Sequence, residues 1–375
     1  MCLIVFDWKP TSYPSLVVAA NRDEVFDRPS QTAHFWKDEP TIYGGRDVVM
    51  GGTWLACSTT GRFAAVTNYH EPRCKGGCAT TRKSYSKSRG EIPVMFVSEK
   101  QQLQQQSHVD SKMTTTTSTE TAALSSLLFV KTRLEVCREE FGGFNAILFD
   151  GQSLVYCSNR GERKNAGDEQ YSFIMQELPA GLYGVSNHLL NTPWPKVEKA
   201  KVALSDALST MEYESSVPAP PPPSSIQATV VKEDENSTTI TKPNNFHTQI
   251  AQRLIKAMED TTKVVNLDLL PWTLGVEEEI IRSSIFVEGV TFGTRTTTIV
   301  TFDRRYGFDM TEKNHHHNHH RMKTFRVASS EEEDDDDEEE SSLLHHHQRI
   351  EIHNRSDPPR RRRHDDGFNK EKVRI

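Results

Sequence analysis

Residues 1–24 read MCLIVFDWKPTSYPSLVVAANRDE, and the fold turns on how this stretch is punctuated. Leu3–Trp8 and Ser15–Ala20 are apolar runs of strand length. Lys-Pro-Thr-Ser-Tyr-Pro separates them, so the spacing predicts an antiparallel hairpin. With the turn centred near Thr11, Cys2 falls opposite Asn21, give or take two residues. The second strand ends on Asn21, Arg22, Asp23 and Glu24, which brings polar side chains to about 5 Å from the thiol. Alternation pairs Asn21 with Asp23 on one face and Arg22 with Glu24 on the other. Register decides which pair shares the face of Cys2, and the sequence leaves it open.

Cys2 carries chemistry of its own. A small residue at position 2 allows the initiator methionine to be trimmed. Thiol and α-amine would then share one carbon, titrating near 8.5 and about 7.7–8.0. The neutral amine can take the thiol proton, as in nucleophiles activated by their own N-terminus. The plainer reading is a small buried hydrophobe, with the NRDE run as a solvated strand end.

Downstream, GGTWLA (51–56), VTNY (66–69), SRGE (88–91), GFN (143–145), GVSNHLLNTPWPKV (184–197) and SSIFV…FGTRTTTIV (283–300) follow MCLIVF and ANRDE in order. This series resembles the NRDE family, the transport and Golgi organisation 2 proteins, from residue 1 to about 310. That family is held to be distantly similar to N-terminal-nucleophile hydrolases. The resemblance implies an α+β fold, an antiparallel αββα sandwich. By that likeness Cys2 is the nucleophile, with Arg22, Asp23 and Arg295 in polar roles. Asn68, Asn145 or Asn187 supplies an oxyanion donor. One departure stands out: Arg22 and Asp23 are adjacent, where the hydrolases separate these roles by two residues. Adjacent strand residues face opposite ways.

The chain has 375 residues and a formal charge of −7, with 35% hydrophobic residues. Such low hydrophobic content implies that part of it does not pack. We expect a domain over 1–312 with disordered insertions at about 101–125 (Gln- and Thr-rich) and 212–245 (Pro- and Ser/Thr-rich). A disordered tail over 313–375 holds His tracts, the acidic run Glu331–Glu340 and the basic run Arg360–Arg363. Neither part is basic enough to make nucleic acid the expected partner. The tail is a candidate for protein contacts.

Six cysteines at 2, 57, 74, 78, 137 and 157 show no disulfide framework. The lone Cys74–Cys78 pair falls short of a four-ligand zinc site, so no metal centre is expected. No apolar run approaches about 18 residues, and no signal sequence precedes the first strand. A cytoplasmic protein is the default, with Golgi or mitochondrial association implied only by the family.

Further hairpins are predicted at Thr53–Cys57/Arg62–Asn68, at Phe144–Phe149/Ser153–Ser158, and at Ile285–Val290/Thr297–Phe302 with Phe292–Arg295 as its turn. Phe26–Trp36 reads as a loop, and Gly44-Gly45 as punctuation. Helices are expected at 92–98, 122–140, from Pro193 to about Met211, and at Phe246–Met258.

Three functions follow from the resemblance. The first is an intracellular carrier of haem or an acyl-CoA-like lipid, with haem as cargo rather than fixed cofactor. Its ligand-binding candidates are Asn21, Glu24, Asn68, His70, Asn145 and His188, the two histidines being the main axial candidates, with Cys2 a further one. The second is a Cys2-dependent amidase or thioesterase using Cys2, Arg22, Asp23, Asn187 and Arg295. The third is a scaffold in secretory organisation.

Overall fold

The structure is a computed structural model describing residues 2–70, 84–98, 125–163, 171–214, 245–264, 266, 268, 276–304, 307–315, 321–327 and 350–356. Two seven-stranded antiparallel sheets form its centre. The first sheet uses β1 (Cys2–Trp8), β2 (Leu16–Val25), β10 (Gly181–Val185), β11 (Phe292–Asp303), β12 (Gly307–Asn314), β13 (Arg321–Val327) and β14 (Ile350–Ser356). Their order is β10-β1-β2-β11-β12-β13-β14. The second runs in sequence order from β3 (Ser30–Phe35) through β4 (Ile42–Asp47), β5 (Leu55–Ser58), β6 (Phe63–Asn68), β7 (Phe144–Phe149) and β8 (Leu154–Ser158) to β9 (Ile174–Glu177).

Alternation in β1 and β2 sorts side chains between two cores. Ile4, Phe6, Trp8, Leu16, Val18 and Ala20 face the second sheet and meet Phe63, Ile147, Phe149 and Tyr156. Leu3, Val5, Val17 and Ala19 face outward onto α3 (Pro195–Glu214) and α4 (Asn245–Ala257) through Val197, Leu204, Ile250 and Leu254. The outer face of the second sheet carries Ala64, Val66, Ala146 and Leu148 against α1 (Glu91–Val97) and α2 (Ser126–Phe129). Three parallel cores make four layers, the expected αββα sandwich. Phe149 anchors the middle layer, with its ring 4.8 Å from Phe302 and 5.5 Å from Trp8.

The first three predicted hairpins form as β1–β2, β5–β6 and β7–β8. The fourth does not. Phe292–Arg295 is the start of β11, whose hairpin partner is β12 beyond it, and 285–290 contributes only a Glu288–Gly293 bridge. The loop expected over 26–36 contains β3, and the Gly44-Gly45 punctuation lies inside β4. A Cβ on Gly44 would meet the Leu55 carbonyl at 2.7 Å, and one on Gly45 the Trp54 ring at 2.3 Å. Glycine here permits close approach within a strand rather than a turn. Helix 122–140 is a short α-turn continued by a π-turn at Val130–Leu134 and a 3-10 turn at Arg138–Glu140. Strand β12 crosses residue 312, where the sequence suggested a boundary. Most of the two expected insertions, the Cys74–Cys78 pair and most of the His, acidic and Arg tracts lie outside the described residues.

Candidate functional site

Pairing of β1 with β2 sets Cys2 directly opposite Arg22. Both therefore point to the side of the first sheet that faces the second. Glu24 follows on that side. Asn21 and Asp23 point the other way, toward the helices.

The third neighbour is β11. Its register on β2 jumps between Thr294, opposite Asp23, and Thr296, opposite Arg22. Arg295 is the surplus residue of a β-bulge. Its guanidinium donates to the carbonyls of Val25 (3.3 Å) and Arg28. Arg22 stacks on Trp54 at 4.1 Å, in the space Gly45 leaves, and its Nη2 lies 3.7 Å from Asp47 and 3.8 Å from Glu24. Arg28 Nε donates to Asp47 Oδ2 at 2.6 Å.

A second glycine contact delivers Arg89. Gly52 and Gly90 touch so closely that a Cβ on Gly52 would sit 2.4 Å from the Gly90 carbonyl carbon, and Thr53 N–H donates to Gly90 O. This packs the 88–91 turn against the start of β5, with Glu91 accepting from Ser88 N–H at 2.7 Å. From there Arg89 Nη1 donates to Gly143 O at 3.3 Å, with Cys2 within electrostatic reach of its guanidinium.

Four guanidiniums (Arg22, Arg28, Arg89, Arg295) thus lie around the strand end that carries Cys2, called here the Cys2 mouth, against the carboxylates of Glu24 and Asp47. Arg22 Nη1, Arg295 Nε and Thr296 Oγ1 are buried there without a hydrogen-bond partner. Such atoms are rare in folded proteins and call for an explanation. Burial pushes the Cys2 thiol up; the N-terminal amine opposes this, Asp23 and Glu24 reinforce it, and Arg22 opposes it.

The remaining candidates divide. Asn21 is structural: Nδ2 donates to Met258 O (2.9 Å) and Ile285 O (3.0 Å), and Oδ1 accepts from Thr297. Asp23 accepts from Thr294 Oγ1 at 2.6 Å, and its carboxyl is raised by burial with buried Lys196 opposing. Asn187 spends Nδ2 on the Asn68 carbonyl (2.8 Å), while Asn145 donates to Thr67 and His188 O and accepts from Tyr156. Asn68 pairs with Phe144, and alternation puts it on the outer face with Ala64 and Val66. His188 has both ring nitrogens engaged, with Tyr69 at 3.0 Å and Thr192 at 2.9 Å. His70 donates its backbone N–H to Asn187 O, and burial, reinforced by nearby cations, holds its imidazole at about 3.

The Cys2 mouth therefore gathers Cys2, Arg22, Glu24 and Arg295. Sequence reasoning missed Arg28, Asp47, Trp54, Arg89 and Thr296 there, and Lys196 beside Asp23 on the helical side. The SRGE, GGTW and TPWPK runs and the FGTRTTTIV run contained four of these, and only the fold places them. Among the described residues no group of three His, Cys, Asp or Glu could hold a metal ion. No described helix is long and apolar enough to cross a membrane.

Two antiparallel sheets between helical layers, with a cysteine opening the first strand, define an αββα sandwich. Residues 1–317 match the family described as "Transport and Golgi organisation 2", and the chain belongs to it. It is 28% identical over 326 residues to the mouse transport and Golgi organization 2 homolog, covering 84% of this chain and 93% of that one. The human homolog is 32% identical over 209 residues, 52% of this chain and 60% of that protein. The bovine homolog aligns with the same identity and coverage, so both alignments span about three fifths of those relatives. Among solved structures, the mutant C2A conjugated bile acid hydrolase of Clostridium perfringens is similar over 85% of this chain and 90% of its own, at a TM-score of 0.31 and 8% identity.

Proposed function

We propose that the mouth at Cys2 binds an anionic acyl-bearing small molecule of the acyl-CoA type, and that the protein acts as an intracellular carrier for it. The observation that supports this is the set of three buried, unpartnered polar atoms on Arg22, Arg295 and Thr296 beside the thiol. A phosphate or carboxylate would accept from guanidinium atoms that otherwise stay unpaired, and the arginine excess favours that charge. Haem is the weaker cargo, because His188 has no free ring nitrogen, which leaves His70 and Cys2 as axial candidates. Service to transport and Golgi organisation, the words in its relatives' names, belongs to the same proposal, as does an association with Golgi or mitochondria. Isothermal titration of the full chain with a short-chain acyl-CoA and with free CoA tests it. Saturable binding that weakens strongly in Arg295→Met is the expected result. Heat signals no larger than buffer dilution overturn it.

A second reading, a Cys2-dependent amidase or thioesterase, draws on the Cys2–Arg22 pairing. Against it stand the raised thiol, Asp23 on the far face, and asparagine amides committed elsewhere. A covalent acyl adduct on Cys2 by intact mass, absent in Cys2→Ala, would bring it forward.

A further inference from the structure

Tyr13, His247 and Asp309 come together on the helical face of the first sheet, at the other end from Cys2. Val17 in β2, Thr301 in β11 and Asp309 in β12 are direct cross-strand neighbours, so their side chains share a face. Val17 packs beneath the helices, and Thr301 and Asp309 lie on that side with it. In α4, His247 stands at i, i+3 and i+7 with Ile250 and Leu254, on the buried stripe of the helix. The helix thus sets an imidazole onto two polar groups of the sheet. Cys2 is separated from them by the length of β1, roughly 20 Å.

The hydrogen bonds fix the direction of a proton. His247 Nδ1 lies 2.8 Å from Thr301 Oγ1 and 3.4 Å from Asp309 Oδ2. A carboxylate only accepts, so it favours the ring proton on Nδ1. Nε2 is then a lone pair and accepts from the Tyr13 hydroxyl at 2.9 Å. His247 and Asp309 are 5% and 8% exposed, whereas Tyr13 is 47% exposed. A buried carboxylate thus orients a buried base, and the base holds the hydroxyl of a residue that reaches solvent. That is the arrangement of an activated nucleophile. The Phe246 ring, 5.4 Å from that of Tyr13, gives the phenol an apolar neighbour.

We propose that Tyr13 is an acyl-accepting nucleophile, with His247 as its base and Asp309 as the positioning residue, and that it takes the acyl group of an activated ester or thioester. The phenol oxygen attacks the acyl carbon while its proton passes to His247 Nε2. A C–O bond forms, and the bond to the leaving oxygen or sulfur breaks with its electron pair. The leaving group takes the proton back from the imidazolium, whose charge Asp309 offsets in the meantime. The products are a tyrosyl ester and a free alcohol or thiol. This inference stands apart from the ligand reading of the Cys2 mouth, in place and in chemistry.

Acetylation of the full chain by 4-nitrophenyl acetate tests it, followed tyrosine by tyrosine through peptide masses. Tyr171 and Tyr183 serve as controls in the same molecule, because the hydroxyl of Tyr171 meets the Arg163 guanidinium and that of Tyr183 the Pro179 carbonyl. Tyr13 is expected to acylate at least about tenfold faster than either. His247→Gln and Asp309→Asn are expected to slow Tyr13 by a similar factor and to leave Tyr183 unchanged. A Tyr13 rate equal to that of Tyr183 in the wild type overturns the proposal, and this comparison needs no variant to fold. So does a folded His247→Gln chain with an unchanged Tyr13 rate. Transfer from acetyl-CoA as well assigns a thioester donor, and transfer from the nitrophenyl ester alone assigns an oxygen ester. Failure of acyl-CoA binding by calorimetry removes the reading of the Cys2 mouth and leaves Tyr13 standing.

Discussion

Arg22 and Asp23 are neighbours in the chain and stand on opposite sides of one sheet. Arg22 lies across from Cys2 and against Trp54, while Asp23 bonds Thr294 beneath the helical layer. The NRDE run is therefore not one polar cluster but two. Arg22 and Glu24 serve the mouth, and Asn21 and Asp23 hold β2 to β11 and to the segments at Met258 and Ile285.

Arg22→Lys keeps the charge and loses the planar stack on Trp54 together with the second donor. Stacking of this kind is worth about 1–2 kcal/mol. Because the stack belongs to the ligand-free chain, its loss is expected to lower the melting temperature, while loss of the unpartnered Nη1 donor is expected to weaken the anionic ligand roughly tenfold. Equal affinities by titration would remove Arg22 from the site.

Asn21→Ala is expected to act on stability instead. It leaves the Met258 and Ile285 carbonyls without their donor and Thr297 without its acceptor, at about 1–3 kcal/mol. Urea denaturation reads this directly. A stable variant with lost ligand binding would return Asn21 to the mouth.

His70 predicts an acid slope. Burial lowers its imidazole from 6.5 to about 3, so between these values the unfolded chain binds a proton that the folded chain does not. Its contribution is intact above about 6.5 and is lost as pH falls toward 3. Denaturation midpoints at pH 7.5 and 5 should differ less in His70→Gln than in the wild type. Identical slopes would show that His70 titrates normally.

Phe149→Ala should be the harshest of these changes, because Trp8, Phe302 and Phe308 all pack on that ring. A loss of about 3–5 kcal/mol is expected. A change below about 1 kcal/mol would mean that the middle layer collapses into the gap.

The layers were legible because β1, β2, β6 and β7 are strand-length, nearly continuous apolar runs, as strands buried on both faces require, and their turns carry Gly or Pro. Strands β3 and β4 were hidden for a physical reason: Gly44 and Gly45 are there to admit Leu55 and Trp54, and glycine reads locally as a turn. The fourth hairpin was misplaced because Phe292-Gly293 also resembles a turn. Cys2, Arg22 and Arg295 could be proposed from motif order. Arg89 and Asp47 could not, since their approach depends on Gly52 meeting Gly90 across an inserted stretch and on the Asp47 turn folding back on Arg28.

The bulge in β11 has an engineering consequence. Because Thr294 and Thr296 already face Asp23 and Arg22, excising Arg295 would join them into a regular ladder and shift no other pair on β2. The loss would be one guanidinium and the carbonyl that accepts from His315 N–H. In this position the chain has one more residue than its sheet requires, so a single-codon deletion could separate what the protein binds from how it folds.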